Sequence, residues 1–171
     1  MAAVNRLSLF GKLNDTAFKT LRAATNYCQQ RGNPYVEISH WLQQILDAPG
    51  TDLHRLMQVF EIDEARLRAD LTRDMEALRR GSTSVADFSS HIQSAIEEAW
   101  LWSSVEYGEQ HVRTGAVLLG LLRNPTLKSS LVGISPLFVS IKAERFADEF
   151  QFEHGFWLRR SRGQIRRSLL L

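Results

Sequence analysis

The sequence predicts an all-α protein made of two related four-helix units, with one extra short helix in front of them. Only 10 glycines and 4 prolines interrupt the 171 residues. Between these breaks, apolar residues recur three or four positions apart, which is the period of a helix face rather than of a strand. The order of the apolar segments also repeats after about 75 residues. Together, these observations favour a helical repeat protein.

The first unit follows a short amphipathic segment over residues 7–13. Side-chain oxygens cap a helix by accepting its free N–H groups, and glycine often lies just past a helix end. The four predicted helices begin, in order, at Asn14 or Asp15, at Ser39, after Asp52 and at Asp63. Gly32 and the Pro49-Gly50 pair end the first two helices. We therefore expect repeat one over about 15–79.

A polar linker separates the two units. Residues 79–84 contain no apolar side chain, which places the linker at 80–87. Repeat two is then expected over about 88–150, and the two repeats form one domain over 1–150.

The second unit repeats the pattern of the first. Residues 112–122 match 36–46 at an offset of 76, which pairs Leu42 with Leu118 and Ile45-Leu46 with Leu121-Leu122. Further on, Ser135-Pro136 predicts another helix start, because serine can cap a helix and proline is tolerated at the first helical position. Each unit has one apolar helix face, which it would bury against the other unit.

The net charge of +2 combines two different regions. Five arginines lie between positions 159 and 167, so residues 1–158 hold 16 basic and 19 acidic groups, a net charge of −3. A basic tail over 151–171 could contact phosphates and make the protein a nucleic-acid binder. The acidic body, without interleaved aromatic and basic residues, argues against nucleic acid as the partner.

The sequence offers few side chains for catalysis. It has no P-loop, zinc-protease or serine-hydrolase motif, so we expect no enzyme activity, no metal and no cofactor in this chain. Cys28 with a histidine base could form a hydrolase, but Cys28 lies on an apolar helix stripe, where burial makes a thiol inert. That alternative ranks last. A single cysteine and the lack of an apolar run of ~20 residues are typical of a cytoplasmic protein without a membrane span.

The N-terminal segment is a candidate binding element. Leu7, Phe10 and Leu13, flanked by Leu9, form one apolar face. A helix this short is unstable in isolation, so it must dock on the body and leave a furrow along its edge, which could accept a partner's amphipathic helix. The alternative, in which the segment only fills the core, is equally compatible with the sequence. Phe88 is a second candidate because it is a large apolar residue in the predicted first turn of the next helix, beside the linker, where it is harder to bury.

Several spaced motifs resemble one protein family. The repeated helix starts Val36-Glu-Ile-Ser-His40 and Arg113-Thr-Gly-Ala-Val117 resemble those of the double Clp N-terminal domain of the AAA+ unfoldases. Within that group the chain is most similar to the ClpV/TssH-type ATPases of bacterial type VI secretion, and the similarity covers about residues 5–150. The motifs that carry it are Leu9-Phe-Gly-Lys-Leu-Asn14, Arg31-Gly-Asn-Pro-Tyr-Val-Glu37, Arg80-Gly-Ser-Thr-Ser84 and Val112-Arg-Thr-Gly115.

The resemblance implies a docking module rather than an enzyme. In that family the N-domain binds an N-terminal helix of the sheath subunit VipB, also called TssC, for sheath disassembly and recycling. ATP and Mg would belong to ATPase modules further along a full-length, hexameric protein, whereas the isolated domain would be a monomer that binds neither nucleic acid nor membrane. The alternative is a general Clp adaptor or unfolded-protein docking domain.

The resemblance also implies a binding site. Carried over by motif, the peptide-binding groove would consist of Leu9, Phe10, Leu13, Thr25, Cys28, Phe88 and Ile92. The tail over 151–171 departs from the family pattern, and we expect it to be disordered or non-native.

Overall fold

The computed structural model describes residues 5–150 and shows a helical protein. The elements are α1 (Arg6–Phe10), α2 (Asp15–Gln30), β1 (Tyr35–Val36), α3 (Ile38–Asp47), α4 (Asp52–Val59), α5 (Glu64–Glu76), β2 (Asp87–Phe88), α6 (Ser90–Leu101), a π-helical turn (Trp102–Glu106), α7 (Thr114–Arg123), α8 (Pro125–Ile134) and a 3-10 turn (Pro136–Ser140). Residues 143–150 are also helical and are named α9. The all-α prediction is confirmed. No helix within residues 5–150 has the length and hydropathy that a membrane span needs.

One apolar core joins the two units. α2 packs against α3 and α6 packs against α7, while contacts of α4 with α7 and of α5 with α8 connect the units. Trp41 is 1% exposed, and its indole N–H donates to Thr20 Oγ1 at 3.0 Å. Because this donor has a partner, the large ring fills the core without leaving a buried polar group unpaired.

Two short parallel pairings cross between the units at equivalent places. Val36 of β1 lies opposite Phe88 of β2, and Leu13 forms a parallel bridge with Val112. In each case the N–H group of the residue after Phe88 or Leu13 donates to the carbonyl of the partner valine, at 2.9 and 2.8 Å. Each pairing therefore fixes the start of one unit's first helix on the other unit.

A buried carboxylate of the first unit caps the central helix of the second. Asp52 accepts the N–H group of Gly115 at 2.8 Å and the hydroxyl of Thr114 at 3.3 Å, and it binds the Arg113 guanidinium through contacts of 2.9 and 2.7 Å. That guanidinium also lies 4.9 Å from the centre of the Phe150 ring. A Cβ on Gly115 would lie 2.4 Å from this ring and 2.8 Å from the Asp52 carboxylate, so only glycine fits.

Buried hydrogen bonds fix the start of α3. The Glu37 carboxylate accepts the backbone N–H of His40, and His40 Nδ1 accepts the N–H of Glu37 at 2.9 Å. Because Nδ1 accepts, Nε2 carries the proton and donates to Asn33 Oδ1 at 3.0 Å, and the Asn33 amide donates to the Arg79 carbonyl at 2.8 Å. Burial, followed by the charge of Arg31, lowers the pKa of His40 to about 4. The ring is therefore neutral at pH 7, as these bonds require.

Two predicted helix starts were wrong. α3 begins at Ile38 with Glu37 as its cap, and Ser39 lies inside the first turn. Glu37 takes the capping position because His40, three residues later, completes a reciprocal pair of bonds with it. Phe88 lies in β2 and not in the first turn of the next helix, which begins at Ser90.

Two further boundaries also differ from the prediction. α1 ends at Phe10, so Leu13 lies beyond the helix and pairs with the second unit instead. Ser135 caps as expected, but it opens a 3-10 turn, and the full helix starts at residue 143. The repeat boundaries stay predictions, and the tail over 151–171 lies outside the described residues.

Candidate functional site

The short helix α1 docks on α6. Its N-terminus is capped by the Asn5 side chain, which accepts N–H groups of Leu7 and Ser8 at 2.9 and 3.4 Å. Leu9 is 3% exposed and anchors the helix in the core, whereas Leu7 is 84% exposed. A five-residue helix has too few internal hydrogen bonds to persist without such packing. α1 is thus held by one buried side chain while it presents another to solvent.

An aromatic pair marks the junction of α1, β2 and α6. The rings of Phe10 and Phe88 meet edge to face, with centroids 5.0 Å apart and planes at 87°. Both side chains are half-buried and pack against the core from its edge. Edge-to-face pairs of this kind stabilise by about 1 kcal/mol beyond the area they bury. The pair thereby leaves part of two aromatic rings accessible at a fixed place.

Polar side chains line the same junction. Arg6 forms an ion pair with Asp87 and donates to the Gln93 side chain at 3.3 Å, and Gln93 donates to Glu97 at 3.0 Å. The Phe88 N–H, followed by the Arg6 guanidinium, holds the pKa of Asp87 below its ordinary value. These contacts connect α1, β2 and α6 at the surface. We call the surface formed by Leu7, Phe10, Phe88 and this polar rim of Arg6, Asp87, Gln93 and Glu97 the α1–α6 seam.

The structure separates the predicted groove residues into two groups. Leu9, Leu13, Cys28 and Ile92 are buried, with exposed fractions from 0% to 6%, so they offer almost no surface to a partner. Phe10, Thr25 and Phe88 are half-buried and keep surface for contact. The structure brings Phe10 and Phe88 together, while Thr25 lies on α2 and its hydroxyl donates to the Leu21 carbonyl at 3.1 Å.

The polar rim was missed by the sequence reasoning. Arg6 immediately precedes the candidate apolar segment, but nothing local in the sequence pairs it with Asp87, which is 81 positions away. The repeat offset of 75 between Leu13 and Phe88 was the available signal, because it brings the segments before α2 and α6 into equivalent positions.

Cys28 has the environment of a core residue. Its thiol donates to the carbonyls of Asn33 and Tyr35 at 3.3 and 3.2 Å. Burial, with a smaller effect from the charge of Glu37, raises the pKa of the thiol to about 11. The thiolate required of a nucleophile is therefore scarce at neutral pH.

A family model described as the Clp repeat (R) N-terminal domain matches residues 12–132, which includes both cross-unit pairings and the second half of the seam. The chain belongs to the Clp repeat N-terminal domain family. This confirms the resemblance that the sequence motifs predicted, and it assigns the chain to a domain that is not itself catalytic.

Two curated proteins are similar to this Clp N-domain. Over 150 residues it is 46% identical to the AAA+ ATPase ClpV1 of Pseudomonas aeruginosa and 39% identical to the chaperone protein ClpB of Yersinia enterocolitica. Each alignment covers 88% of this chain and 17% of the relative. The chain thus spans about one sixth of the length of these relatives.

Solved structures share the fold. One, from work on the coevolution of the ATPase ClpV, the TssB-TssC sheath and the accessory HsiE protein in type VI secretion, has a TM-score of 0.85 and 45% identity, and covers 91% of this chain and 96% of that chain. A complex of a ClpV N-domain with a VipB peptide has a TM-score of 0.74 at 24% identity, and covers 88% and 92% of the two chains. The second likeness shows the fold alone.

Proposed function

We propose that this Clp N-domain is a docking module that binds an amphipathic helix of a partner protein at the α1–α6 seam. The observation that carries the proposal is the half-buried Phe10–Phe88 pair beside the exposed Leu7. Leu7 and Phe10 are three positions apart on α1, so the exposed apolar atoms form a strip along the seam. A partner helix with apolar side chains at positions i, i+3 and i+4 fits such a strip.

The proposed partner is a sheath subunit of a type VI secretion system, VipB/TssC-like. The 46% identity to ClpV1 supports this choice, as does the shared fold of a ClpV N-domain that was solved with a VipB peptide. In a longer cytoplasmic protein, docking would deliver the sheath to hexameric ATPase modules that use ATP and Mg for disassembly and recycling.

Apolar contact should supply most of the binding free energy. The charge of Arg6 is already paired with Asp87, which leaves the apolar side chains of the seam as its main contact surface. Exposed charges are screened at physiological salt, whereas apolar burial is not weakened by salt. We expect the affinity for a partner helix to change little between low and moderate ionic strength.

The test is calorimetric titration of the protein with a synthetic helix from the N-terminal region of a sheath subunit. Truncating a buried apolar anchor in an interface commonly costs ~2 kcal/mol or more, or about thirtyfold in affinity. Phe88→Ala should weaken binding by this amount while circular dichroism shows an unchanged helix content. Val105→Ala is the matched control, because Val105 is 76% exposed on the π-helical turn and belongs to no part of the seam.

Two outcomes would count against the proposal. Equal affinities for Phe88→Ala and the unchanged protein would place the partner elsewhere. Competition by a reduced, unfolded polypeptide at the same concentration as the sheath helix would favour the general adaptor function over sheath recognition.

A further inference from the structure

One face of the helix α2 is apolar and basic, and it is open to solvent. Phe18 is 49% exposed, and Lys19 and Arg22 are also exposed. These two cations form no ion pair within residues 5–150, and Asp15, at the first position, is the only acidic residue of the helix. We call the surface formed by Phe18, Lys19 and Arg22 the α2 face. It shares no residue with the α1–α6 seam.

The repeat identifies the equivalent face in the second unit. An offset of 75 pairs Leu21 with Ile96 and Ala24 with Ala99. All four of these residues are buried, which confirms the register of α2 on α6. In this register, positions 18, 22 and 25 of α2 correspond to three residues of α6, namely Gln93, Glu97 and Trp100.

On α6, the equivalent face is covered by α1 and the residues that follow it. Arg6 of α1 donates to the Gln93 side chain at 3.3 Å, and the Lys12 ammonium lies 4.7 Å from the centre of the Trp100 ring. Gln93, Glu97 and Trp100 are all half-buried. The second unit thus shows that a short amphipathic helix fits at this place in the fold.

The first unit has no such cover in the described part of the chain. By the same offset, α1 corresponds to residues 81–85 of the linker, which form no helix. The linker is bound instead to the loop after α2, where the Ser82 N–H donates to the Gly32 carbonyl at 2.9 Å. It therefore passes the C-terminal end of α2 and leaves Phe18 and Arg22 exposed.

The two equivalent faces carry opposite charges. α1 brings Arg6 to a face that contains Glu97 and lies beside Asp87. The α2 face has Arg22 in the place of Glu97, with Lys19 beside it. A covering helix of matched charge therefore carries carboxylates where α1 carries an arginine. The α1 helix of a second copy does not fit, because it would bring Arg6 against a basic surface.

We infer that the α2 face binds a short amphipathic helix of a partner protein whose polar side carries aspartate or glutamate. An apolar side chain of that helix packs on the Phe18 ring, and its carboxylates pair with Arg22 and Lys19. Helices of this kind dock through apolar anchors at positions i, i+3, i+4 and i+7. The inference is independent of the proposal for the α1–α6 seam, because it concerns a different surface and a different partner helix.

The test uses three synthetic peptides of about 18 residues, a length at which an isolated helix can form. All three carry leucine at the anchor positions, and their polar side carries glutamate, glutamine or lysine. During NMR titration of the full chain, backbone amide signals of Lys19 and Arg22 report on the α2 face, and those of Phe10 and Phe88 report on the seam. We expect saturable shifts on the α2 face with the glutamate peptide and about tenfold weaker binding of the glutamine peptide.

Matched variants connect the shifts to the α2 face. Arg22→Glu should weaken binding of the glutamate peptide about tenfold and strengthen binding of the lysine peptide, because it exchanges attraction and repulsion. Arg66→Glu is the control, since it changes the net charge equally at an exposed position of α5 and should leave both affinities unchanged. Phe18→Ala should also weaken binding, whereas Leu101→Ala, at a residue of α6 that is 54% exposed, should not. Circular dichroism shows whether each variant keeps its helix content.

Salt separates this surface from the seam. Exposed ion pairs are screened by salt, so the affinity of the glutamate peptide should fall as the ionic strength rises, unlike that of a sheath helix at the seam. The Phe88→Ala variant should bind the glutamate peptide as the unchanged protein does, so a failure of this inference leaves the test of the seam intact.

Four results would overturn the inference. The first two are equal affinities of the glutamate and glutamine peptides, and equal effects of Arg22→Glu and Arg66→Glu. The third is a set of shifts confined to Phe10 and Phe88, which would place the acidic helix on the seam. The fourth is no saturable binding of the glutamate peptide at concentrations up to about 1 mM.

Discussion

The helices α3 and α7 occupy equivalent places in the two units, yet they begin in different ways. Both are ten residues long, and both follow a valine that pairs with the other unit. α3 is capped locally, by Glu37 before it and by His40 in its own first turn. α7 receives no side-chain cap from Arg113 and takes the carboxylate of Asp52 instead. The local cap stabilises one helix, whereas the cross-unit cap also joins the two halves of the domain.

The residue before each helix explains the difference. The first turns of both helices are buried, so water cannot serve their free N–H groups and each start needs an acceptor from the protein. Glu37 supplies an acceptor at α3, whereas Arg113 has only donor groups, and the Asp52 carboxylate serves α7 instead. At Gly120 a Cβ would come within 3.0 Å of the Glu98 Cβ, so glycine lets α6 approach α7 closely.

Removing the Asp52 carboxylate that caps α7 should lower the free energy of unfolding more than any other change proposed below. Asp52→Ala leaves the half-buried Arg113 without its counter-charge and the start of α7 without an acceptor. Breaking a buried ion pair in this way costs about 3–5 kcal/mol of the free energy of unfolding. Urea denaturation followed by circular dichroism measures it. Asp52→Asn keeps an acceptor and should cost less. A loss no larger than ~1 kcal/mol for Asp52→Ala would show that the cross-unit cap is worth no more than an ordinary local one.

Filling the space at Gly115 tests the close approach of α7 to α9. Gly115→Ala forces the Phe150 ring and the Asp52 carboxylate apart, because its Cβ would lie 2.4 and 2.8 Å from them. Overpacking of this kind costs about 1–3 kcal/mol. Gly133→Ala is the control, since no atom lies within 4 Å of its Cβ and alanine is the better helix former. Equal unfolding midpoints for the two variants would contradict the proposed contact.

The local cap of α3 should be sensitive to pH. The pKa of His40 falls from 6.5 to about 4 on folding, so between these values the unfolded chain binds more protons than the folded one. Folding stability therefore decreases as the pH falls through this range, by about 2 kcal/mol between pH 7 and pH 5. Denaturation curves at several pH values measure the slope. The His40→Asn variant should be less stable throughout and should lack this part of the slope. If the stability of His40→Asn and the stability of the unchanged protein varied with pH in the same way, the pH dependence would belong to other groups.

The fold was predictable wherever its signals are local. Asn14 caps α2 and Asp63 caps α5 as the sequence predicted, because a side-chain oxygen next to its own helix needs no distant partner. The two-residue strands β1 and β2 were not predicted, since neither has a strand pattern and each exists only by pairing across 52 positions. The contact of Asp52 with Arg113, 61 positions apart, was missed for the same reason.

The sequence indicated which segments form the candidate site, but it did not indicate which of their side chains are exposed. The amphipathic pattern of the N-terminal segment put Leu7, Phe10 and Leu13 on one face, with Leu9 at its flank. How deeply each one is buried depends on the way α1 meets α6, which no local pattern encodes. The structure buries Leu9 and leaves Phe10 half-exposed against Phe88.

The smallest expected change in the free energy of unfolding comes from a comparison of two equally buried serines. Ser39 and Ser135 are both 0% exposed, but only Ser135 has a partner, the Asp70 carboxylate at 2.6 Å. Ser135→Ala should lower the free energy of unfolding by about 1–3 kcal/mol, because it removes the partner of the buried Asp70 Oδ2, while Arg73 still pairs with Oδ1. Ser39→Ala removes a hydroxyl that has no partner within residues 5–150, so the unfolding free energy should stay the same or rise by up to ~1 kcal/mol. Thermal and urea denaturation of the two variants measure the difference. A loss at Ser39 as large as the loss at Ser135 would mean that the Ser39 hydroxyl is already hydrogen-bonded in the folded protein.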